Sequence, residues 1–174
     1  MKEIFGLEGE PALVVGGGYG SGRLTAMLLQ QAGARVAIAD IDPERAKAVS
    51  DELGVPAFVG DIREQEQAIR IVDQAHEALG GLKRVANIVG LVKMGPFAEM
   101  SLADWDDQFR LNLHSQMFIA QAAGRHMLAD RSGGAIAMVA SVSGYYGARN
   151  QAAYGAAKAG VMSLARSLAD EWGP

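Results

Sequence analysis

The sequence predicts a doubly wound α/β fold, a parallel sheet covered by helices on both faces. Two observations carry the prediction: apolar runs of strand length alternate five times with longer segments of helical period, and a glycine-rich turn joins the first run to its helix. Parallel strands need crossovers of a dozen or more residues, so five strand-then-helix repeats place helices on both faces of one sheet.

The elements follow in order. ALVV (12–15) leads to a helix near 21–32, ARVAIA (34–39) to one near 43–53, and VPAFV (55–59) to one near 63–79. KRVANIV (83–89) precedes helices near 102–129, and GAIAMVA (134–140) precedes a helix near 151–171. Asp42 before Pro43 reads as an N-cap followed by a first-turn proline, Ser101 with Asp104 resembles a capping box, and Gly33 and Gly54 close helices. No linker, repeat or low-complexity tract divides residues 1–174, so a single domain is expected.

Composition excludes several classes. A chain of 174 residues buries roughly 70% of its unfolded surface and needs no staple. Cysteine is absent, which removes disulfides and thiolate metal sites, and His76, His114 and His126 lack ligand spacing, so no metal is expected. The net charge of −4 comes without a long basic block, which argues against nucleic acid. The opening MKEIFGLEGE has no apolar core of a secretory signal, and no apolar run reaches membrane-spanning length. A cytoplasmic protein without membrane contact is the expectation.

The turn GGGYGSG (16–22) opens the first helix with Gly16, Gly18, Tyr19, Gly20, Ser21 and Gly22. Glycines let a pyrophosphate approach backbone N–H groups, and the helix start adds about half a positive charge. With 22 glycines in the chain, such a cluster also makes plain turns. Asp40, at the end of the second strand, stands some twenty residues beyond the turn, where an acid binds both ribose hydroxyls. Ile41 follows with no cation beside it for a 2′-phosphate, so NAD is favoured over NADP. S-adenosylmethionine, bound by a similar turn and acid, stays open at this point.

The second half of the chain contains AAYGAAKAGV (152–161), a helical run in which Tyr154 and Lys158 are four apart and so share a face. With VGGGYGSG (15–22), NIVG (87–90), Asn112 in LNLHS, and Ser141 thirteen residues before Tyr154, the chain resembles the short-chain dehydrogenase/reductase family from about residue 10 onward. The resemblance implies a Rossmann-type sheet of order 3-2-1-4-5 and a catalytic set of Asn112, Ser141, Tyr154 and Lys158. Tyr154 is to exchange the proton, Lys158 to lower its pKa and hold the nicotinamide ribose, Ser141 to bond the substrate oxygen, and Asn112 to hold a water. Asp61 and Ile62 are implied against the adenine and Asn87 near the cofactor.

A free tyrosine titrates near 10, so acting near neutrality takes roughly 3 to 4 kcal/mol in favour of the phenolate. A lysine charge about 5 Å away, at an effective dielectric of about 20, supplies ~3 kcal/mol. The expected activity is NAD-dependent interconversion of a secondary alcohol and a ketone, in a homodimer or homotetramer. The competing readings are a binding module that holds NAD without turnover and an S-adenosylmethionine-dependent methyltransferase. Val15, Ile88 and Val89 depart from the family's motif residues, and Lys83 stands where it often has Asp. The helix ending in SLADEWGP resembles the family's active-site helix, so the expectation is a chain truncated before the family's last two strands and its substrate-covering segment.

Overall fold

The computed structural model describes residues 6–131 and 133–173. The chain runs β1 (Pro11–Val15), α1 (Gly20–Gln31), β2 (Arg35–Asp40), α2 (Pro43–Leu53), β3 (Ala57–Val59), α3 (Gln65–Leu79) and β4 (Arg84–Asn87). A 3-10 turn (Phe97–Glu99), α4 (Leu102–Phe109), a π turn (Arg110–His114), α5 (Ser115–Ala129), β5 (Ala135–Met138), α6 (Ser143–Tyr146) and α7 (Ala152–Trp172) follow. These form two compact units, one from residues up to Ile88 with Phe118–Ala137, the other from Val89–Met117 with Met138 onward.

The first unit carries the sheet, in the expected order β3-β2-β1-β4-β5. Strand β1 lies at its centre, parallel to β2 and β4, with Ala12 opposite Val36 and Arg84 and Val15 opposite Ala39 and Asn87. All five β1 residues are buried, as befits a strand covered on both faces. Because side chains alternate along a strand, Ala12, Val14, Val36 and Ile38 share one face and pack with Ala26 of α1 and Val49 of α2. The opposite face meets α3, whose Ala68, Ile71, Val72, Ala75 and Leu79 are buried. Strand β5, at the sheet's edge, is half exposed.

Helix boundaries follow local chemistry. The Asp42 side chain accepts hydrogen bonds from the Glu44 and Arg45 N–H groups ahead of α2, and Gly54 closes that helix in the left-handed region at φ 66°. The expected capping box before α4 forms only half: Ser101 accepts from the Asp104 N–H, while the Asp104 carboxylate turns to the Lys93 ammonium. The charged partner offers more than a neutral backbone N–H.

His76 and His126 stack with ring centroids 4.1 Å apart. Each reaches a carboxylate across the helices, His76 at 2.9 Å from Asp130 and His126 at 2.7 Å from Asp73. The pair ties α3 to the part of α5 in the same unit. Both histidines serve this contact between helices, and no cluster of three or more metal-ligating residues occurs among the described residues.

The second unit is helical. The segment expected to be helical near 102–129 is interrupted by the π turn, and inside that turn Asn112 is fully buried. Helix α7 packs on α4, the π turn and α6. Its small residues permit the approach, since a Cβ on Gly160 would lie 2.9 Å from the Leu113 side chain and one on Gly155 would lie 2.8 Å from the Ser143 carbonyl. Beyond Val161 no described residue of α7 is fully buried.

Candidate functional site

In the first unit the glycine-rich turn packs against the end of β2. A Cβ on Gly22 would lie 1.9 Å from the Gly16 carbonyl oxygen, and one on Gly18 would lie 2.7 Å from Asp40 Oδ2. Hydrogen replaces carbon at both points because backbone and carboxylate already fill the space. Gly16 and Gly20 take φ of 79° and 54°, left-handed values that reverse the chain into α1.

Helix α1 begins without a side-chain cap and without an acidic residue in its first turn. Its N-terminal donors are therefore not answered by a capping side chain, as a pyrophosphate-binding start requires. Tyr19, at the N-cap, Gly20 and Ser21 are exposed. Asp40 is fixed by two backbone donors, Gly18 N–H to Oδ2 at 2.9 Å and Asp42 N–H to Oδ1 at 3.0 Å. Each oxygen retains acceptor capacity for a hydroxyl.

Ile41 is exposed and Ile62 buried. The Asp61 carboxylate is gripped by Arg63, whose Nε lies 3.0 Å from both oxygens and whose Nη2 lies 2.7 Å from Oδ2. That guanidinium holds the Asp61 carboxyl below the usual range. Asn87 is buried at the end of β4, in register with Val15.

The first unit thus gathers Gly16, Gly18, Tyr19, Gly20, Ser21, Gly22 and Asp40 at the ends of β1 and β2. Uncapped N–H groups, a close-approach turn and a fixed carboxylate fit an adenine dinucleotide.

The second unit holds all four residues of the expected catalytic set, Asn112, Ser141, Tyr154 and Lys158. Lys158 is 1% exposed, and its Nζ donates to the Val139 carbonyl at 2.8 Å. Burial lowers its pKa to about 8. The ammonium lies 5.7 Å from the centroid of the Tyr154 ring, one helical turn back on α7. The shared face expected from the four-residue spacing is present.

Asn112 donates through Nδ2 to the Leu91 and Gln108 carbonyls, at 2.9 and 3.0 Å, and accepts the Leu91 N–H through Oδ1 at 3.1 Å. These bonds fasten the segment after β4 to the π turn. Gly90 sits between the two side chains, since a Cβ there would lie 2.8 Å from Lys158 Nζ and 3.1 Å from Asn112 Oδ1. Ser141 Oγ accepts the Ser143 N–H at 3.2 Å, which leaves its proton free for another acceptor.

Sequence reasoning did not find the Val139 carbonyl, the spacer role of Gly90, or the grip of Arg63 on Asp61. Gly90 stood in the NIVG motif and offered a signal. A backbone carbonyl offers none.

The order of these residues agrees with a known family. The family model for short chain dehydrogenases matches residues 10–174. The chain belongs to the short chain dehydrogenase family.

It is 33% identical to a D-threitol dehydrogenase of Mycolicibacterium smegmatis, over 97% of this chain and 66% of the relative. It is 34% identical to a 2-dehydro-3-deoxy-D-gluconate 5-dehydrogenase of Escherichia coli, over 99% of this chain and 69% of the relative. The crystal structure of a short chain dehydrogenase from Mycobacterium smegmatis superposes with a TM-score of 0.92 at 34% identity, covering 95% of this chain and 70% of that one. The chain therefore spans about two thirds of the length of these family members. Among the described residues no helix is long and apolar enough to cross a membrane.

Proposed function

We propose that this chain is the dinucleotide-binding and proton-transfer part of an NAD-dependent oxidoreductase that interconverts a secondary alcohol and a ketone. One observation carries the proposal. Lys158 is sealed from water beside the Tyr154 ring, on α7. A bland surface pair at the same spacing would leave the ammonium solvated.

Tyr154 carries the exchangeable proton. In oxidation its phenolate takes the proton of the alcohol, and in reduction its phenol returns one to the carbonyl oxygen. The Lys158 cation stabilises the phenolate form, and a low-dielectric surrounding strengthens that attraction. Ser141 positions the substrate oxygen by hydrogen bonding, and Asn112 holds the local backbone that surrounds Lys158. A nicotinamide cofactor held at Lys158 and Tyr154 would supply the hydride chemistry.

In the first unit the open start of α1 receives the pyrophosphate, and Asp40 receives the ribose hydroxyls. Asp40 supports NAD over NADP, because its charge repels a 2′-phosphate. Ile41, Asp61, Ile62 and Asn87 complete the proposed cofactor contacts. A single Rossmann domain, a small alcohol or ketone as substrate, and assembly as a homodimer or homotetramer belong to the same proposal. The dehydrogenase names of the relatives support the substrate class.

The test is Tyr154→Phe, assayed with NAD over a panel of secondary alcohols, with NAD affinity followed by calorimetry. Turnover is expected to fall about a thousandfold while NAD still binds. Undiminished turnover in the variant overturns the assignment. A parent protein that binds NAD yet turns over no alcohol is instead a binding module.

A further inference from the structure

We infer that Arg45 is a second determinant of which dinucleotide this chain accepts, placed beside Asp40 to receive a 2′-phosphate. The inference rests on the dinucleotide reading above and modifies it: the preference for NAD is weaker than Asp40 alone would set. Along the sequence no cation adjoins Asp40, because Ile41 follows it. Folding supplies one from five residues away.

The geometry comes from the start of α2. Asp42 caps that helix through the N–H groups of Glu44 and Arg45, so Arg45 lies in a first turn that faces the glycine-rich segment. Around the Cβ position of Gly18, Asp40 Oδ2 lies at 2.7 Å and Arg45 Cβ at 2.9 Å. An acid and a base therefore leave from the same point of the nucleotide turn.

Two contacts aim the guanidinium. It lies 5.3 Å from the centroid of the Tyr19 ring, and its Nε is 3.3 Å from Asp42 Oδ2. Neither contact is a hydrogen bond from a terminal nitrogen of the guanidinium. Tyr19 is 73% exposed, so the pair sits at the open edge of the turn.

Asp40, in contrast, cannot swing away from a phosphate, because Gly18 and Asp42 hold both of its oxygens. A 2′-phosphate at this turn meets a fixed carboxylate that repels it and a planar fork of donors that suits its oxygens. Arg45 offsets part of the repulsion. Stacking of the guanidinium on adenine is the rival role, and it would favour NAD and NADP equally.

The test is calorimetry of NAD, NADP, ADP and adenosine 2′,5′-bisphosphate on the parent, Arg45→Gln and Arg45→Lys. Arg45 has a side chain more than half exposed, so both variants are expected to fold, checked by circular dichroism and melting temperature. Arg45→Gln is expected to weaken NADP and the bisphosphate about fivefold, with NAD and ADP changed less than about twofold. Arg45→Lys, which keeps the charge and loses the fork, is expected to fall between. An equal loss for both dinucleotides assigns Arg45 to adenine and overturns the inference, as does no change in either. A parent that binds neither dinucleotide overturns the proposed function itself, and this inference with it.

Discussion

The glycine-rich turn of the first unit and the Tyr154 helix of the second each fix one charged group, and they compensate it in opposite ways. Asp40 is held by two backbone N–H donors at 2.9 and 3.0 Å. Lys158, almost wholly removed from water, meets a single neutral carbonyl among the described residues. An ammonium has three protons to place, and burial without an opposite charge disfavours it. The first unit uses backbone geometry to settle a charge, whereas the second keeps one unsettled beside a phenol. Fixed polarity suits holding a ligand, and a weakly compensated cation suits a neighbour that must change its own charge.

The largest expected effect tests the backbone half of this contrast. In Gly22→Ala the new Cβ would lie 1.9 Å from a carbonyl oxygen and 3.2 Å from the Gly17 Cα, and backbone cannot turn aside as a side-chain tip can. Chemical denaturation is expected to show a loss of about 3 kcal/mol or more, with NAD binding lost in calorimetry. A variant within ~1 kcal/mol of the parent that still binds NAD would show that the turn is compliant, and the comparison would fail.

Lys158→Met tests the other half. The unfolded chain keeps the lysine proton up to about 10.5, the folded chain only up to about 8. Between those values the unfolded state binds more protons, so this group makes stability rise with pH there. Below about pH 8 the parent carries the whole penalty, about 3 kcal/mol. Methionine carries none. Both proteins pay other costs that do not titrate, such as the Val139 carbonyl that the variant leaves unpaired. The stability of Lys158→Met relative to the parent is therefore expected to be highest below pH 8 and to decline steadily toward pH 10.5. Urea denaturation at pH 7, 9 and 10 measures it, and a flat difference would mean that Lys158 is better compensated than its single carbonyl suggests.

The same contrast explains what the sequence made legible. The alternation of strands and helices, the glycine turn, Asp40 and the Tyr154–Lys158 face depend on local periodicity and on short spacings, and each is visible as a residue type at an interval. The strand order, in contrast, was implied only by the family resemblance. The Val139 carbonyl has no residue signature, since any amino acid supplies it. The wedge at Gly90 required knowing that Lys158 and Asn112 approach one point from opposite sides. The stacked His76 and His126 are fifty residues apart and meet only because α3 and α5 lie together. Arg45 escaped for a similar reason: adjacency to Asp40 was sought along the chain, and the fold created it through the first turn of α2.

The smallest effect lies within the first unit, where two helix starts differ in the manner of the two units. Helix α2 is closed by Asp42, whose Oδ1 accepts from Glu44 N–H at 2.9 Å and Arg45 N–H at 3.2 Å. Helix α1 starts at Tyr19 with no side-chain cap. A closed start contributes stability at all times, whereas an open start contributes when an anion arrives. Asp42→Ala is expected to cost about 1 kcal/mol in chemical denaturation. Asp42→Asn keeps the capping oxygen and loses only the half-exposed ion pair with Arg45 at 3.3 Å, so its cost is expected to stay below about 0.5 kcal/mol. An equal loss in both variants would assign the stabilisation to the charge of Asp42 and not to its cap. The two helix starts would then differ in electrostatics alone, and the open start of α1 would be a weaker reason to place a pyrophosphate there.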